Sequence, residues 1–591
     1  MSLNNELAEL FKTAAAVMEI KGEAVFKSIA FSKVARLLGE LPFDIRKSVE
    51  DGSIDTITGI GKSSRKIIED VVRTGTSADI ESLKSSIPEG LVPMMQIPSL
   101  GPKTISMLWK QRGITNIGEL TVAIVEGKLE GLKGLGEKKI QSIKDGITML
   151  TAGGGRIGLI NALPIAEKLL EQVRALKGVE RAEVAGSLRR WRETIGDVDI
   201  VAAVSATSTR GHDISRAFTK FPQVGRVLGQ GETKSSVLVD GGLQVDLRIV
   251  PEEHFGAAMQ YFTGSKEHNV TLRGLAQDKG MTLNEWGLYK LTEYDKAKKL
   301  TGKPPAVPAV ASRSEEDIYE ALGMDWIPPE LREDRGEIAL ATAHKVPKLI
   351  VVKDIRGDLH SHTKASDGDS TIEQMAEAAI ALGYEYLGIT DHSKSQVIAN
   401  GLSVERLLKH LEAIRKVAAK IKGIKVLASC EVDILTDGTL DYGDEILKEL
   451  DYVIASPHAS LKQDPKKATD RLLRAVDNRY VNIIGHPTGR KIDKRGGLPV
   501  EFETVFARAA KAGVAMEINA GWPRLDLNDV NARAAIAAGV MLSVNTDAHS
   551  ISDFEQLPLG ISVARRAGAE AKNVINTLDH TSLMKFLTRK R

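Results

Sequence analysis

Two aspartates one residue apart, Asp197 and Asp199, head the apolar run GDVDIVAAV, Gly196 to Val204. Side chains two apart on a strand share a face, so these carboxylates stand close together and repel. A third is at hand: in GLQVDLRIV, Gln244, Asp246 and Arg248 share one face while Val245, Leu247 and Ile249 share the other. Carboxylates gathered on neighbouring strands make a poor core, because buried like charges must be neutralised or must bind cations. Two divalent ions, Mg²⁺ above all and Mn²⁺ in its place, suit carboxylates and substrate phosphates. Such a pair at Asp197, Asp199 and Asp246 is the apparatus of in-line phosphoryl or nucleotidyl transfer.

A second set of chemical residues lies in the C-terminal half. His360, His362, His392, His458, His486 and His549, six of the chain's 12 histidines, fall at or just after expected strand ends, with Asp367, Glu431 and Asp547 among them. A lone histidine in a loop is usually structural or solvated, and that reading suits His410 and His580. Six placed by one geometric rule, with carboxylates between them, argue for several transition-metal ions on mixed imidazole and carboxylate ligands. A centre of that kind generates hydroxide near neutral pH and neutralises a phosphate ester.

The elements that must position these groups change character along the chain. Residues 1 to about 150 are rich in helix formers broken by three glycine turns: TGIGKSSRKI with Gly59, Gly61 and Lys62, SLGPKTISML with Gly101 and Lys103, and GLGEKKIQSI with Gly134, Gly136 and Lys138. Glycine lets the backbone approach a ligand, and the amides at the following helix N-terminus favour an anion, which is how a DNA phosphate is held without reading bases. The second turn has Ser99 where the first glycine is expected. From about 155 strands and helices mix, and near 330 the proline-bearing, charged WIPPELREDRGEIALA reads as a connector. Beyond it, short apolar strands alternate with alanine-rich helices, predicting a parallel α/β barrel with its polar site at the strand C-termini.

Composition narrows the class without choosing the function. The 591 residues, 42% hydrophobic, suffice for several cores. Lys plus Arg at 80 against Asp plus Glu at 78 leaves the total charge silent about nucleic acid. A single cysteine, Cys430, excludes an intramolecular disulfide. The start MSLNNELAEL lacks a signal pattern, and no apolar run approaches the roughly 20 residues that span a bilayer, so a cytoplasmic protein with no membrane partner is expected.

Ahead of Asp197 stands AGSLRRWRETIGDVDI, where Gly186 and Ser187 make a tight turn and Arg190 follows; after it come GETKSS at Gly231 and YFTGSKEHNVTLR at Tyr261. With the three hairpins these motifs run in one order, and to about residue 330 the chain resembles the family X DNA polymerases, the group of DNA polymerase beta. The resemblance implies that Asp197, Asp199 and Asp246 are the palm metal ligands, with Asp246 accepting or orienting the primer 3′-hydroxyl proton. It implies that Arg156, Gly186, Ser187 and Arg190 hold the incoming triphosphate, that Tyr261, Phe262 and Gly264 pack on the deoxyribose, and that Asn269 and Arg273 meet the nascent base pair. Lys234 becomes a primer phosphate contact and the hairpin glycines and lysines become DNA contacts. One position departs from the family: Ile67 stands where members with deoxyribose phosphate lyase activity carry a Schiff-base lysine, so that activity requires Lys66 or Lys62 to substitute.

From about 350 to 575 the chain resembles the polymerase and histidinol phosphatase (PHP) domain, with all nine positions of its trinuclear centre intact. The two resemblances together imply a multidomain chain. A helical helix-hairpin-helix domain covers 1–86, fingers with further hairpins 87–152, an α+β nucleotidyltransferase palm 153–255 and a helical thumb 256–330. A linker at 331–350 leads to a distorted (β/α)7 PHP barrel at 351–591. They imply a monomer that fills gapped or nicked DNA from deoxynucleoside triphosphates, with three Mn²⁺ or Zn²⁺ ions in a barrel that acts as a 3′–5′ exonuclease or 3′-end phosphoesterase. The competing readings are an end-processing nuclease whose polymerase core is vestigial, which template-dependent extension eliminates, and a small-metabolite phosphatase, which requires all three hairpins to be incidental.

Overall fold

The computed structural model describes residues 3–589 apart from 24, 42, 98–99, 133, 152–155, 206–210, 240–241 and 297–303. It divides into two compact units, Met1–Gly155 with Leu238–Leu243, and Arg156–Val237 with Gln244–Arg591. No helix among the described residues is long and apolar enough to cross a membrane.

Two apolar clusters organise the helices of the first unit, one around Leu7, Phe11, Leu38 and Ile68, the other around Leu91, Met94, Leu108 and Leu120. Helices α1 (Lys62–Thr74), α2 (Pro102–Arg112) and α3 (Glu137–Thr151) each start just after the second glycine of a hairpin. Gly61 and Gly101 are the N-caps of α1 and α2, and no side chain caps either helix. Gly59 and Gly134 have φ of +103° and +86°, values that L side chains rarely adopt. Ser99 and the side chain of Lys138 lie outside the described residues.

The second unit holds all of the palm sheet but the end of one strand, together with the thumb and the barrel. Strands β1 (Val179–Val184), β2 (Asp197–Val204), β3 (Val224–Gln230), β4 (Lys234–Val239) and β5 (Gln244–Pro251) form one sheet in the order β1-β2-β5-β4-β3. β2 and β5 run parallel, in a register that sets Asp199 opposite Asp246. Short helix α4 (Gly186–Arg189) precedes β2, and helices α5 (Phe255–Thr263) and α6 (Lys266–Asp278) follow the sheet. The stretch 331–350 is no free connector. Arg332 is 0% exposed, α7 (Glu337–Thr342) packs into the thumb cluster through Ala341, and the Glu337 carboxylate bonds His268 Nδ1 at 2.7 Å. Pairing with buried thumb groups overrides the polar, proline-marked composition that reads as a linker.

In the barrel, β6 (Gly357–Asp358), β7 (Tyr386–Ile389) and β8 (Lys425–Ala428) form one parallel sheet. Strands β9 (Glu431–Asp433), β10 (Val453–Ser456), β11 (Val481–Ile484), β12 (Ala515–Asn519) and β13 (Leu542–Asn545) form a second, also parallel and in chain order. β8 and β9 are halves of one strand broken at Ser429–Cys430, which makes seven strand positions. Bridges from His392 to Glu431 and from Ser361 to Ala548 join the two sheets. Nearly every residue of these strands is buried, as expected where helices cover a parallel sheet. Helices α8 (Val404–Lys420) and α9 (Leu557–Arg566) belong to that cover.

Candidate metal centres

On the palm, the register of β2 against β5 brings Asp199 and Asp246 side by side, with Asp197 two residues away on the same face. Burial, then the charges of Asp197 and Asp246, push the Asp199 carboxyl up to about 7. Holding it ionised at neutral pH therefore costs about 4 kcal/mol, a cost that a bound cation removes. Gly186, at φ +65°, shapes the approach: a Cβ there would lie 2.7 Å from Asp199 Oδ2. Burial opposes the charge on Asp246, yet hydrogen bonds from Lys234, Ser236 and Gln244 outweigh it and hold that carboxyl below its ordinary value. Lys234 Nζ stands 2.6 Å from Asp246 Oδ2 and Gln244 Nε2 2.9 Å from Oδ1. Lys234, expected on DNA, is thus here the cation that answers Asp246, and the three carboxylates are not gathered to one point as the barrel ligands are. Donor set, cradle and uncompensated charge fit Mg²⁺ or Mn²⁺.

Of the residues expected at a nucleotide, Gly186 and Arg156 lie beside these aspartates, and the others are held by contacts of their own. Arg156 Nε donates to Thr194 Oγ1 at 2.8 Å. Ser187 lies in α4 and Arg190 is its C-cap. The Arg190 guanidinium donates to Thr263 O at 2.5 Å, beside Gly264, whose φ of +69° and 3.2 Å gap from a notional Cβ to Arg190 suit only glycine. Tyr261 and Phe262 meet edge to face at 5.2 Å, and the Arg248 guanidinium sits 4.5 Å over the Phe262 ring. Asn269 faces inward at 8% exposure. Its amide donates to Tyr261 O and accepts from Gln260, both at 2.7 Å. Arg273 Nε donates to Asn269 O at 3.1 Å. In this arrangement Asn269 braces the Tyr261 segment instead of reaching outward.

The first hairpin bears on the lyase question. Ile67 is 2% exposed within an apolar cluster, so no side chain there reaches a substrate. Lys66 points outward, but its hydrogen bond to Asp79 at 2.8 Å, then that residue's charge, hold the ammonium above its ordinary value. A protonated amine is no nucleophile. Borohydride trapping on an abasic-site duplex is expected to give no more cross-link than a Lys62→Ala, Lys66→Ala double variant; a cross-link that disappears in that variant would contradict this.

In the barrel, the nine expected ligands converge at the C-terminal ends of the strands. Among the described residues, four sets place their ligand atoms within 4.8 Å of one another: His362, Asp367, His392 and His549; His360, Glu431 and His486; His360, His362 and Asp547; and His392, Glu431 and His458. Ring centroids of His362 stand 4.2 Å from His549 and 4.4 Å from His392. His360 Nε2, His362 Nδ1, His392 Nδ1, His458 Nε2, both ring nitrogens of His486 and both oxygens of Glu431 are buried without a hydrogen bond. So many orphaned donor atoms aimed at one space fit metal ions, and imidazole with carboxylate fits Mn²⁺ or Zn²⁺. Burial, then the charges of His549 and His392, press His362 down to about 4. Burial also opposes a charge on His392 and His549, but their carboxylate neighbours outweigh it and raise them to about 10 and about 9. Protons held there must leave when metals enter.

Behind the ligands lies a layer of buried carboxylates that spacing did not single out. Glu517 accepts His360 Nδ1 at 2.8 Å and the His486 amide at 2.7 Å. Asp358 accepts the His360 amide at 2.9 Å and Thr546 Oγ1 at 2.6 Å, and Asp433 bonds His458 Nδ1. Asp391 gathers Thr363, Ser366 and His410, the last at 2.7 Å, so His410 is structural and steadies the loop of His362 and Asp367. Such partners fix ligand tautomer and orientation; Asp358 and Asp391 sit one or two residues before a ligand histidine, which was the available signal. Arg490, which follows the loop GHPTG, is part-buried in an ion pair with Glu193 of the palm. A cation at the cluster is Arg524, whose Nε is 3.6 Å from Asp547 Oδ2 and whose Nη1 is buried without a hydrogen bond.

Comparison with known proteins places these sites in context. The chain matches the helix-hairpin-helix domain family at residues 2–77, the DNA polymerase beta thumb at 258–333 and the PHP domain at 358–520. It is 36% identical over 586 residues to the DNA polymerase/3'-5' exonuclease PolX of Bacillus subtilis (strain 168), covering 99% of each chain. It is 32% identical over 245 residues to a probable phosphatase of Thermoanaerobacter sp. (strain X514), 40% of this chain and 95% of that one. A probable phosphatase of Caldanaerobacter subterraneus subsp. tengcongensis is 30% identical over 231 residues, 37% of this chain and 86% of that one.

Proposed function

The chain belongs to the family X DNA polymerases that carry a PHP domain, the family of the Bacillus subtilis polymerase/exonuclease, and from that premise we propose that it extends a DNA 3′ end at its palm and shortens that end at its barrel. It is a metal-dependent, DNA-binding polymerase with 3′–5′ exonuclease activity. The observation that carries the reading is the coexistence, on one compact unit, of Asp199 opposite Asp246 and of the nine-ligand barrel cluster.

In our reading Asp197, Asp199 and Asp246 hold Mg²⁺ or Mn²⁺, which when bound supplies Lewis-acid stabilisation of the transferring phosphoryl group. Asp246 orients the primer hydroxyl, its charge secured by Lys234 and Gln244. Ser187, Arg156 and Arg190 offer hydroxyl and guanidinium donors to the triphosphate oxygens, and Tyr261 with Phe262 presents a face to the sugar. The hairpin turns at Gly59, Gly61, Gly101, Gly134 and Gly136 grip the duplex backbone on either side of a short gap. Three Mn²⁺ or Zn²⁺ ions fit the barrel ligands, with Arg524 as the phosphate contact. Gap filling during repair in the cytoplasm, by a monomer using deoxynucleoside triphosphates, is the role that joins these parts.

Wild type on a single-nucleotide-gapped duplex is expected to add the templated nucleotide when supplied with it and to shorten the primer when not. Failure to extend with shortening intact would favour an end-processing nuclease built on a vestigial core. The pH dependence is also set. A carboxyl raised to about 7 is charged above that pH and protonated below it, so a cation entering at Asp199 competes with a proton as pH falls. The half-saturating Mg²⁺ concentration for incorporation is expected to rise by up to about tenfold per unit below pH 7 and to flatten above 8. Titrations at pH 6, 7 and 8 check this; a pH-independent value contradicts it.

A further inference from the structure

We propose that the PHP barrel forms part of the polymerase's nucleotide site, with Arg566, the last residue of α9, acting as a positioning residue for Arg190 through Glu333. The proposal rests on the reading of Arg190 as a triphosphate contact. Arg190 Nε donates to Glu333 Oε1 at 3.1 Å, and the same oxygen accepts Arg566 Nη1 at 3.0 Å. Arg566 Nη1 also donates to the backbone carbonyl of Arg190 at 2.7 Å. One barrel side chain therefore fixes both ends of the palm arginine, its main chain directly and its guanidinium through Glu333. Arg566 is anchored in turn by Asp529 Oδ2 at 2.8 Å, an oxygen shared with Arg335 Nη1 at 2.9 Å.

The network is buried: side-chain exposure is 1% for Arg566, 11% for Glu333 and 12% for Arg190. In such surroundings the loss of one partner leaves the others uncompensated, so the geometry of Arg190 depends on Arg566. What remains of Arg190 matters equally. Its bonds to Glu333 and Thr263 use Nε and Nη1 and leave the Nη2 edge for an anion. A separate contact backs Arg156 in the same way. Trp522 of the barrel packs so closely on Gly158 that a Cβ there would lie 2.1 Å from its ring. Arg490 pairs with Glu193 through Nη1 at 3.1 Å, next to Thr194, which holds Arg156.

The test measures steady-state incorporation of one nucleotide by the full chain, with exonuclease rate and melting temperature read on the same preparations. Arg566→Gln is expected to raise the nucleotide KM about tenfold or more with kcat changed less than about threefold, Arg566→Lys to restore part of it, and exonuclease activity to stay within about twofold. Adding Arg566→Gln to Arg190→Ala should cost little beyond Arg190→Ala alone, because both act on one contact. An unchanged KM in Arg566→Gln, or effects that multiply in the double variant, overturns the proposal. Should Arg566→Gln fail to fold, Arg566→Lys and Glu333→Gln decide by the same KM criterion. If Arg190→Ala itself leaves KM unchanged, the assignment of Arg190 falls and takes this inference with it. If Arg190→Ala raises KM while the Arg566 and Glu333 variants do not, only this inference falls.

Discussion

Changing Asp199 to alanine is expected to lower single-nucleotide incorporation by at least about a thousandfold, with 3′-end shortening retained within about twofold. A thousandfold is about 4 kcal/mol of transition-state stabilisation, a loss consistent with removing a ligand of a metal ion that would stabilise the reacting phosphate. Fold damage would predict a different pattern. Burial and two neighbouring carboxylates raise Asp199 from an ordinary value of 3.8 to about 7. A carboxyl whose folded value lies above its unfolded one costs stability progressively as pH rises between those values, here from about 4 to about 7. In chelator at pH 8 the metal-free variant, freed of that charge, should therefore melt no lower than wild type. Low incorporation together with a lower melting point in chelator would contradict the ligand assignment.

Glu431→Gln is expected to produce the converse lesion, a loss of nucleotide release from the 3′ end of about a thousandfold or more with extension retained. Glu431 lies at the centre of the barrel cluster. Its Oε1 is 2.7 Å from His486, 3.3 Å from His458 and 3.4 Å from His360, and its Oε2 is 2.8 Å from His392. It is fully buried, and although burial opposes its charge, the surrounding histidines hold its carboxyl well below the ordinary range. It therefore offers two anionic oxygens to more than one ion at any working pH. Glutamine keeps the shape and removes the charge. Release of labelled terminal nucleotide over time measures the effect, and a variant that still releases at a tenth of the wild-type rate would remove Glu431 from the centre.

Much of this arrangement could be read in the chain because strand geometry is regular. A period of two is enough to put Asp197 and Asp199 on one face and Asp246 on the polar face of its own strand. In a parallel barrel, residues just after successive strands arrive at the same end, which is why histidines as far apart as His360 and His549 share one cluster. The family and multidomain fold were legible through motifs in fixed order. What stayed hidden depends on partners distant in sequence. Glu517 on its strand looks like any carboxylate until His360, 157 residues earlier, is found bonded to it. Arg490 follows a glycine loop as a phosphate contact would, yet it pairs with Glu193, 297 residues away. The stretch 331–350 has the composition of a linker, and only the pairing of Glu337 with the buried His268 and the burial of Arg332 disclose that part of it packs against the thumb.

One labelled primer on a single-nucleotide-gapped duplex, with and without deoxynucleotides, tests the central claim that a single chain carries two separate metal centres of opposite effect. Wild type, Asp199→Ala and a His360→Ala, His362→Ala double variant are compared side by side in Mg²⁺ and in Mn²⁺. The predicted result is loss of extension alone in the first variant and loss of shortening alone in the second. A wild type that shortens but never extends, or a variant that loses both activities while still folded, would contradict it.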